Sequence, residues 1–117
     1  MKTICVMRDL YKALAKFENN FEAIYGVSLN EAMILCSLYE AQKELTSSEL
    51  AQQTEMTPSH TSKVIGFTED KGLIDRSLGK VDKRQMLFKL TAKGTKLAQE
   101  FALDKVEIPE LIKPLFS

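Results

Sequence analysis

Apolar residues recur along the first part of the chain at Leu10, Leu14, Phe17, Phe21 and Ile24, spaced alternately by four and by three. A period near 3.5 residues gathers them into one seam along a helix, the kind of seam that packs lengthwise on another helix. The spacing predicts a helix over residues 7–25. Gly26 is its stop, because glycine accepts the left-handed cap conformation. Such a seam suits a core helix of this domain and a helix shared with a second subunit equally well.

Ser28 and Glu31 form a capping-box pattern that opens a second helix, with Ala32, Leu35 and Leu38 on its apolar face. Residues 41–44 read as its end and turn. A second capping box, Thr46 with Glu49, opens a short helix over residues 47–53 with Leu50 and Ala51 facing inward. After the connector Thr54-Glu55-Met56, Thr57 is an N-cap and Pro58 the first helical residue. This next helix runs to Lys71 and stops at Gly72. Its inward face is Thr61, Val64, Ile65 and Thr68, at i, i+3, i+4 and i+7. Two helices joined by so short a turn form a helix-turn-helix.

Beyond Gly72 the period changes from helical to alternating. Residues 73–78 and 85–90 read as two strands, with Met86, Phe88 and Leu90 on one face. Between them Gly79-Lys80-Val81-Asp82-Lys83-Arg84 is a hairpin tip carrying three cations, placed as a wing beside the helix-turn-helix. Thr91 caps a further helix carrying Leu97 and Phe101, and reaching Leu103. Pro109 and Pro114 interrupt the last stretch. There Leu111, Ile112, Leu115 and Phe116 are too apolar for a free tail, and dock on the domain or on a partner chain.

The expected fold is mainly α with a small β-hairpin: a winged helix-turn-helix flanked by helical segments. It is one domain over 1–117, with the winged lobe over 28–96 and helical segments over 1–27 and 97–117. The chain is neutral overall, which at first argues against nucleic acid. The distribution argues otherwise: residues 1–56 carry a net −3, residues 57–96 a net +5, and residues 97–117 a net −2. A duplex feels the basic segment, because salt screens charges more than roughly 8 Å away. Ser59, His60, Ser62 and Lys63, small or basic, lie at the outward N-terminal end of the second helix of the pair. They let the backbone come close and offer donors to base edges and phosphates.

The run Leu45-Thr46-Ser47-Ser48-Glu49-Leu50-Ala51, then Met56-Thr57-Pro58-Ser59, Lys71-Gly72-Leu73-Ile74-Asp75-Arg76, Asp82-Lys83-Arg84 and Leu90-Thr91-Ala92-Lys93-Gly94, resembles the multiple-antibiotic-resistance regulator (MarR) family over residues 28–97. The resemblance implies a homodimer that binds pseudo-palindromic double-stranded DNA, often as a repressor released by a small-molecule effector or an oxidant. With it the winged lobe over 28–96 becomes a DNA-binding lobe, and the segments over 1–27 and 97–117 become dimerisation helices. It makes Thr57, Pro58, Ser59, His60, Thr61 and Lys63 the major-groove end of the recognition helix. Lys80, Asp82, Lys83 and Arg84 become the wing, with Asp82 bracing Arg84 and Arg84 entering the minor groove. Ser47 and Ser48 offer hydroxyl and N–H groups to phosphate. Arg76 is a backbone contact or a wing-bracing ion pair.

The sequence departs from the family pattern in three places. It ends 26 residues after Thr91, short for the family, so dimerisation leans on the first helix. Thr68 stands where leucine is usual and Phe67 where a polar residue is usual, so the helix is rotated slightly or Phe67 covers an apolar patch. Lys83 replaces the commoner arginine and loses bidentate geometry.

Other chemistry finds little support. His60 is the lone histidine and has no ligand-spaced partners, so neither a metal nor a cofactor is expected. Cys5 has only Arg8 nearby to favour a reactive thiolate, and Cys36 reads as a small core residue. No nucleophile elbow, phosphate loop or Cys/His pairing suggests an enzyme. No apolar run spans a bilayer and the start does not resemble a signal peptide, so the expected location is the cytoplasm, without membrane partners. The rival function is a winged-helix module that docks a protein and does not bind DNA.

Overall fold

The computed structural model describes residues 2–101 and 105–116. Leu103, expected on the last helix, lies outside the described residues. In chain order the elements are α1 (Lys2–Tyr25), α2 (Leu29–Ala41), β1 (Leu45–Thr46), α3 (Ser47–Thr54), α4 (Pro58–Asp70), β2 (Ile74–Leu78), β3 (Met86–Leu90), α5 (Ala92–Glu100) and a 3-10 stretch at Glu110–Phe116. The chain divides into two compact units, Met1–Leu29 with Asp104–Ser117, and Asn30–Leu103. Among the described residues no single helix is long and apolar enough to cross a membrane.

In the first unit α1 begins five residues earlier than its apolar seam suggested, because Lys2–Val6 continue the helix without adding to the buried face. Along the seam only Phe21 is buried. Leu10 and Phe17 are half-buried, and Leu14 and Ile24 are exposed. The rings of Phe17 and Phe21 lie 6.0 Å apart, and those of Phe21 and Tyr25 4.7 Å, both within the range of favourable tilted aromatic pairs. Gly26 has a φ of +76°, the left-handed stop that its position predicted. In the C-terminal stretch Ile112 is half-buried, whereas Leu111, Leu115 and Phe116 remain exposed on this chain.

The second unit is built around a three-stranded antiparallel sheet in the order β1-β3-β2. Strand β1 was not expected from the sequence; it adds Leu45 opposite Phe88 and Thr46 opposite Leu87. Phe88 is thus the central residue of the sheet, flanked by Leu45 on one side and Arg76 on the other. Of the three residues expected on one face of β3, Phe88 is buried and Met86 and Leu90 are half-buried. Ile34 and Leu35 of α2, Leu50 of α3, Ile65 of α4 and Ile74 of β2 complete a core in which each is at most 2% exposed. Each such side chain contributes roughly 1.5–3 kcal/mol by leaving water.

Helix α4 has the inward face its spacing predicted. Thr61, Val64, Ile65 and Thr68 are all buried. The two threonines fit an apolar setting because their hydroxyls donate to the carbonyls one turn back, Thr61 to Thr57 at 2.8 Å and Thr68 to Val64 at 2.7 Å. Thr68 therefore needs no rotation of the helix, and Phe67 points outward at 53% exposure. Cys36, expected in the core, is exposed on α2. Protein packed around its sulfur raises its thiol pKa, and the Glu40 carboxylate raises it further.

The sequence Thr91-Ala92-Lys93-Gly94 ties α5 to the end of α4 and the start of β2. The Thr91 hydroxyl accepts from Gly94 N–H at 3.0 Å and donates to the Gly72 carbonyl at 2.8 Å, while Thr91 N–H donates to the Leu73 carbonyl at 3.0 Å. Lys93 Nζ reaches the Lys71 carbonyl at 3.0 Å. Gly94 is required because a Cβ there would overlap the Leu73 carbonyl oxygen and stand 3.0 Å from its carbon.

Candidate nucleic-acid interface

The candidate residues lie on four parts of the second unit: the start of α3, the start of α4, strand β2 at Arg76 and the β2–β3 tip. At α3 the capping box is complete. Thr46 Oγ1 accepts from Glu49 N–H at 3.1 Å, and Glu49 Oε1 accepts from Thr46 N–H at 2.9 Å. The hydrogen bond from Thr46 N–H lowers the Glu49 pKa below its ordinary value. Ser47, half-buried, and Ser48, exposed, occupy the first turn, whose N–H groups an α-helix leaves without an internal acceptor. The Glu49 carboxylate beside that turn takes part of the dipole attraction that would otherwise be available to a phosphate.

The turn into α4 is sharp because Glu55, the C-cap of α3, adopts a left-handed conformation with φ 59°. Thr57 then caps α4, its hydroxyl accepting from His60 N–H at 3.1 Å, and Pro58 follows at the first helical position. Thr57, Pro58, Ser59, His60, Ser62 and Lys63 are exposed. Thr61 is not: it is fully buried with its hydroxyl bonded within the helix, which corrects its place among the groove-facing residues. The His60 ring shares a hydrogen bond with the Asn30 side chain, Nε2 to Nδ2 at 3.1 Å, so the start of α4 is held to the start of α2.

The C-terminal end of α4 is held by charge. Glu31, expected to close a capping box with Ser28, is buried, and its carboxylate receives the Lys71 ammonium at 2.8 Å. Arg76 on β2 makes a two-point ion pair with Glu69 of α4, through Nε to Oε2 at 2.7 Å and through Nη2 to Oε1. Its guanidinium lies 5.4 Å from the centroid of Phe88, its cross-strand neighbour. Donating hydrogen bonds to the Glu69 carboxylate raises the Arg76 pKa above its ordinary value. Of the two roles open to Arg76 in the sequence, this geometry matches the brace, tying the hairpin to α4.

The wing tip is closed by Gly79 N–H to the Gln85 carbonyl at 2.8 Å and Gln85 N–H to the Asp82 carbonyl at 3.0 Å. Gly79 is needed there, since a Cβ would come within 2.5 Å of the Asp82 carbonyl oxygen. The Asp82 carboxylate accepts the Arg84 N–H at 3.0 Å and lies 3.5 Å from the Arg84 guanidinium, while the Arg84 side chain stays 95% exposed. Lys80 and Lys83 are exposed beside it. The tip thus holds a cation outward on a turn that its own carboxylate stabilises.

Asn30 and Glu69, which hold His60 and Arg76, were not singled out by the sequence, because polar residues on separate elements give no periodic signal. Among the described residues, no group of three or more His, Cys, Asp or Glu side chains is arranged to hold a metal ion.

Comparison with known proteins agrees with this architecture. The family model for the MarR family matches residues 27–86. The HTH-type transcriptional regulator PrsX of Escherichia coli is 27% identical over 102 residues, covering 84% of this chain and 61% of that protein. The chain thus spans about three fifths of the length of the curated relatives it matches. The crystal structure of YusO from Bacillus subtilis superposes with a TM-score of 0.70 at 25% identity, over 86% of this chain and 70% of that one. Staphylococcus aureus MepR, solved as a DNA complex, shares the fold with a TM-score of 0.68 at 21% identity, over 95% of this chain and 85% of that one. The curated relatives matched, PrsX and PapX of Escherichia coli, are HTH-type transcriptional regulators, not enzymes. A complete capping box at α3, a capped helix after a sharp turn and a cationic hairpin, matched by the family model over more than half of its length, make this chain a member of the MarR family.

Proposed function

We propose that the chain is a homodimeric, sequence-specific binder of double-stranded DNA that acts in the cytoplasm as a transcriptional repressor released by a small molecule. The observation that carries the DNA-binding part is the exposed cationic tip, with Arg84 95% exposed, on the same compact unit as the exposed start of α4. In this reading Ser59, His60 and Lys63 meet base edges or phosphates in the major groove. Ser47, Ser48, Thr57 and Pro58 set the backbone against phosphates, Lys80 and Lys83 neutralise phosphates, and Arg84 enters the minor groove with Asp82 shaping its turn. Arg76 acts from behind, holding the hairpin to α4. A homodimer is supported by the uncovered apolar residues of the first unit, among them Tyr11 at 77% and Leu115 at 80% exposure. Repression and release by an effector rest on family membership alone.

A duplex-binding titration against a randomised library at two salt concentrations, with molar mass measured alongside, tests the proposal. The expected result is a palindromic site held by a dimer, with affinity falling by roughly 10³ or more between 50 and 200 mM salt. Arg84→Ala is expected to weaken binding most where the minor groove is narrow. A monomer that enriches no sequence would refute the proposal and favour a protein-docking winged helix.

A further inference from the structure

Two neighbouring residues on the outward side of α4, half-buried Gly66 and exposed Phe67, stand out among the described residues. Gly66 sits mid-helix, and a Cβ built there meets nothing within 4 Å. Glycine in a helix interior lowers stability relative to alanine, because it has more freedom to lose on folding. Phe67 beside it keeps 53% of its surface in water, the only large apolar side chain of α4 so exposed among the described residues. Local packing therefore leaves room for a methyl at 66 and leaves about half of the phenyl at 67 in water.

Helical spacing places both with the groove-facing candidates. Gly66 follows Ser59 by seven residues, Ser62 by four and Lys63 by three; Phe67 follows His60 by seven and Lys63 by four. The buried stripe of Thr61, Val64, Ile65 and Thr68 faces the other way. One face of α4 therefore runs from small and basic residues at its start to a gap and an aromatic ring two turns later.

We infer that Gly66 and Phe67 extend the base-reading surface of α4, Phe67 against the 5-methyl group of a thymine and Gly66 as the gap that lets the helix backbone approach the groove wall. The inference rests on the duplex-binding reading above. Thymine supplies the apolar group on the floor of the major groove, and a phenyl ring is one of the side chains that pairs with it. The groove is only about 12 Å wide and must admit the whole helix, so a missing side chain on the inserted face matters there. The net charge of +5 over residues 57–96 favours a duplex over an apolar protein surface as the occupant of this face.

The test uses duplexes enriched by the wild-type chain, resynthesised with deoxyuridine in place of thymine at one position at a time. This removes the methyl and nothing else. Wild type is expected to lose about fourfold in affinity at one or two positions per half-site. Phe67→Ala is expected to bind the two versions equally while keeping the wild-type salt slope, since no phosphate contact is removed. Gly66→Ala is expected to raise the melting temperature and yet weaken the selected duplex by about tenfold. Deoxyuridine sensitivity that survives Phe67→Ala, or is absent in wild type, overturns the inference while leaving duplex binding intact. A Phe67→Ala chain that falls from dimer to monomer overturns it in favour of a second copy on that face. A library that enriches no duplex refutes the regulator reading itself, and the inference with it.

Discussion

The same substitution at two glycines should move stability in opposite directions. At Gly94 a methyl group would overlap the Leu73 carbonyl oxygen. Restoring an ordinary carbon–oxygen separation of about 3.3 Å requires α5 to retreat from the start of β2 by roughly 1 Å. That retreat stretches the 3.0 Å bond from Thr91 N–H to the Leu73 carbonyl and the 2.8 Å bond from the Thr91 hydroxyl to the Gly72 carbonyl beyond useful length. Overpacking costs about 1–3 kcal/mol, and two weakened hydrogen bonds add about 1 kcal/mol each. The better helix propensity of alanine returns up to about 1 kcal/mol. Gly94→Ala should therefore destabilise the chain by about 2–4 kcal/mol, a fall in melting temperature on the order of 10 °C. At Gly66 no atom opposes the methyl, and alanine should stabilise by about 0.5–1 kcal/mol. Urea unfolding followed by circular dichroism at 222 nm measures both. A Gly94→Ala chain within about 0.5 kcal/mol of wild type, the ordinary range for an inconsequential surface change, would show that the close approach of α5 to Leu73 is wrong.

Other expectations follow from single contacts. Glu49 has its pKa lowered in the folded chain, so its contribution is fully present above its ordinary value of 4.5 and is lost as pH falls through the depressed folded value. The stability gap between wild type and Glu49→Ala should therefore narrow in acid, and a gap that widens below pH 4 would contradict the capping box. A double-mutant cycle on Arg76 and Glu69 should give a coupling of only about 0.2–1 kcal/mol, because the Arg76 side chain is half exposed and salt-screened; a coupling above about 2 kcal/mol would mean that the pair is shielded from water. Lys71→Met, which takes the ammonium from the buried Glu31 carboxylate, should cost about 1–3 kcal/mol by thermal melting, and a neutral result would argue against the pair. Glu55→Gly, at a left-handed position with φ 59°, should be neutral or stabilising by up to about 1 kcal/mol, whereas Glu55→Val should destabilise.

The parts of this fold that could be read from the sequence are those fixed by local chemistry. Thr46, Thr57 and Thr91 announce helix starts because a cap needs a short side-chain oxygen within three residues of its donor, and all three caps form. The buried face of α4 is likewise a matter of spacing. What stayed hidden depends on partners distant in sequence. Strand β1 is two residues long, too short to show a period, and exists only because Phe88 and Leu87 lie opposite it. Glu31 signals a cap locally, and nothing near it in sequence signals its ion pair with Lys71, forty positions along the chain. Thr61 satisfies two patterns at once, a helix face and a recognition-helix position, and only its burial decides between them. The wing was legible as a cationic turn, but the hold of Arg76 on Glu69 was only one of two roles the sequence left open.

The attachments at the far end of α4 make the helix a lever. With 13 residues it is about 20 Å long, and an angular play of about 5° at one end moves the other by about 1.7 Å. Base-edge hydrogen bonds tolerate far less than that before they weaken. Three clamps bear on the heel of this lever: Glu31 on Lys71, Arg76 on Glu69, and Lys93 on the Lys71 carbonyl. At the toe, the Asn30 side chain meets the His60 ring and Thr61 is buried. In the proposed DNA-binding role, damage to the heel should therefore blur the choice between similar sequences at residues that are themselves intact, and it should do so more than it reduces overall attraction to DNA. On that proposal, substitutions at Lys71 or Glu69 alter aim without touching a base.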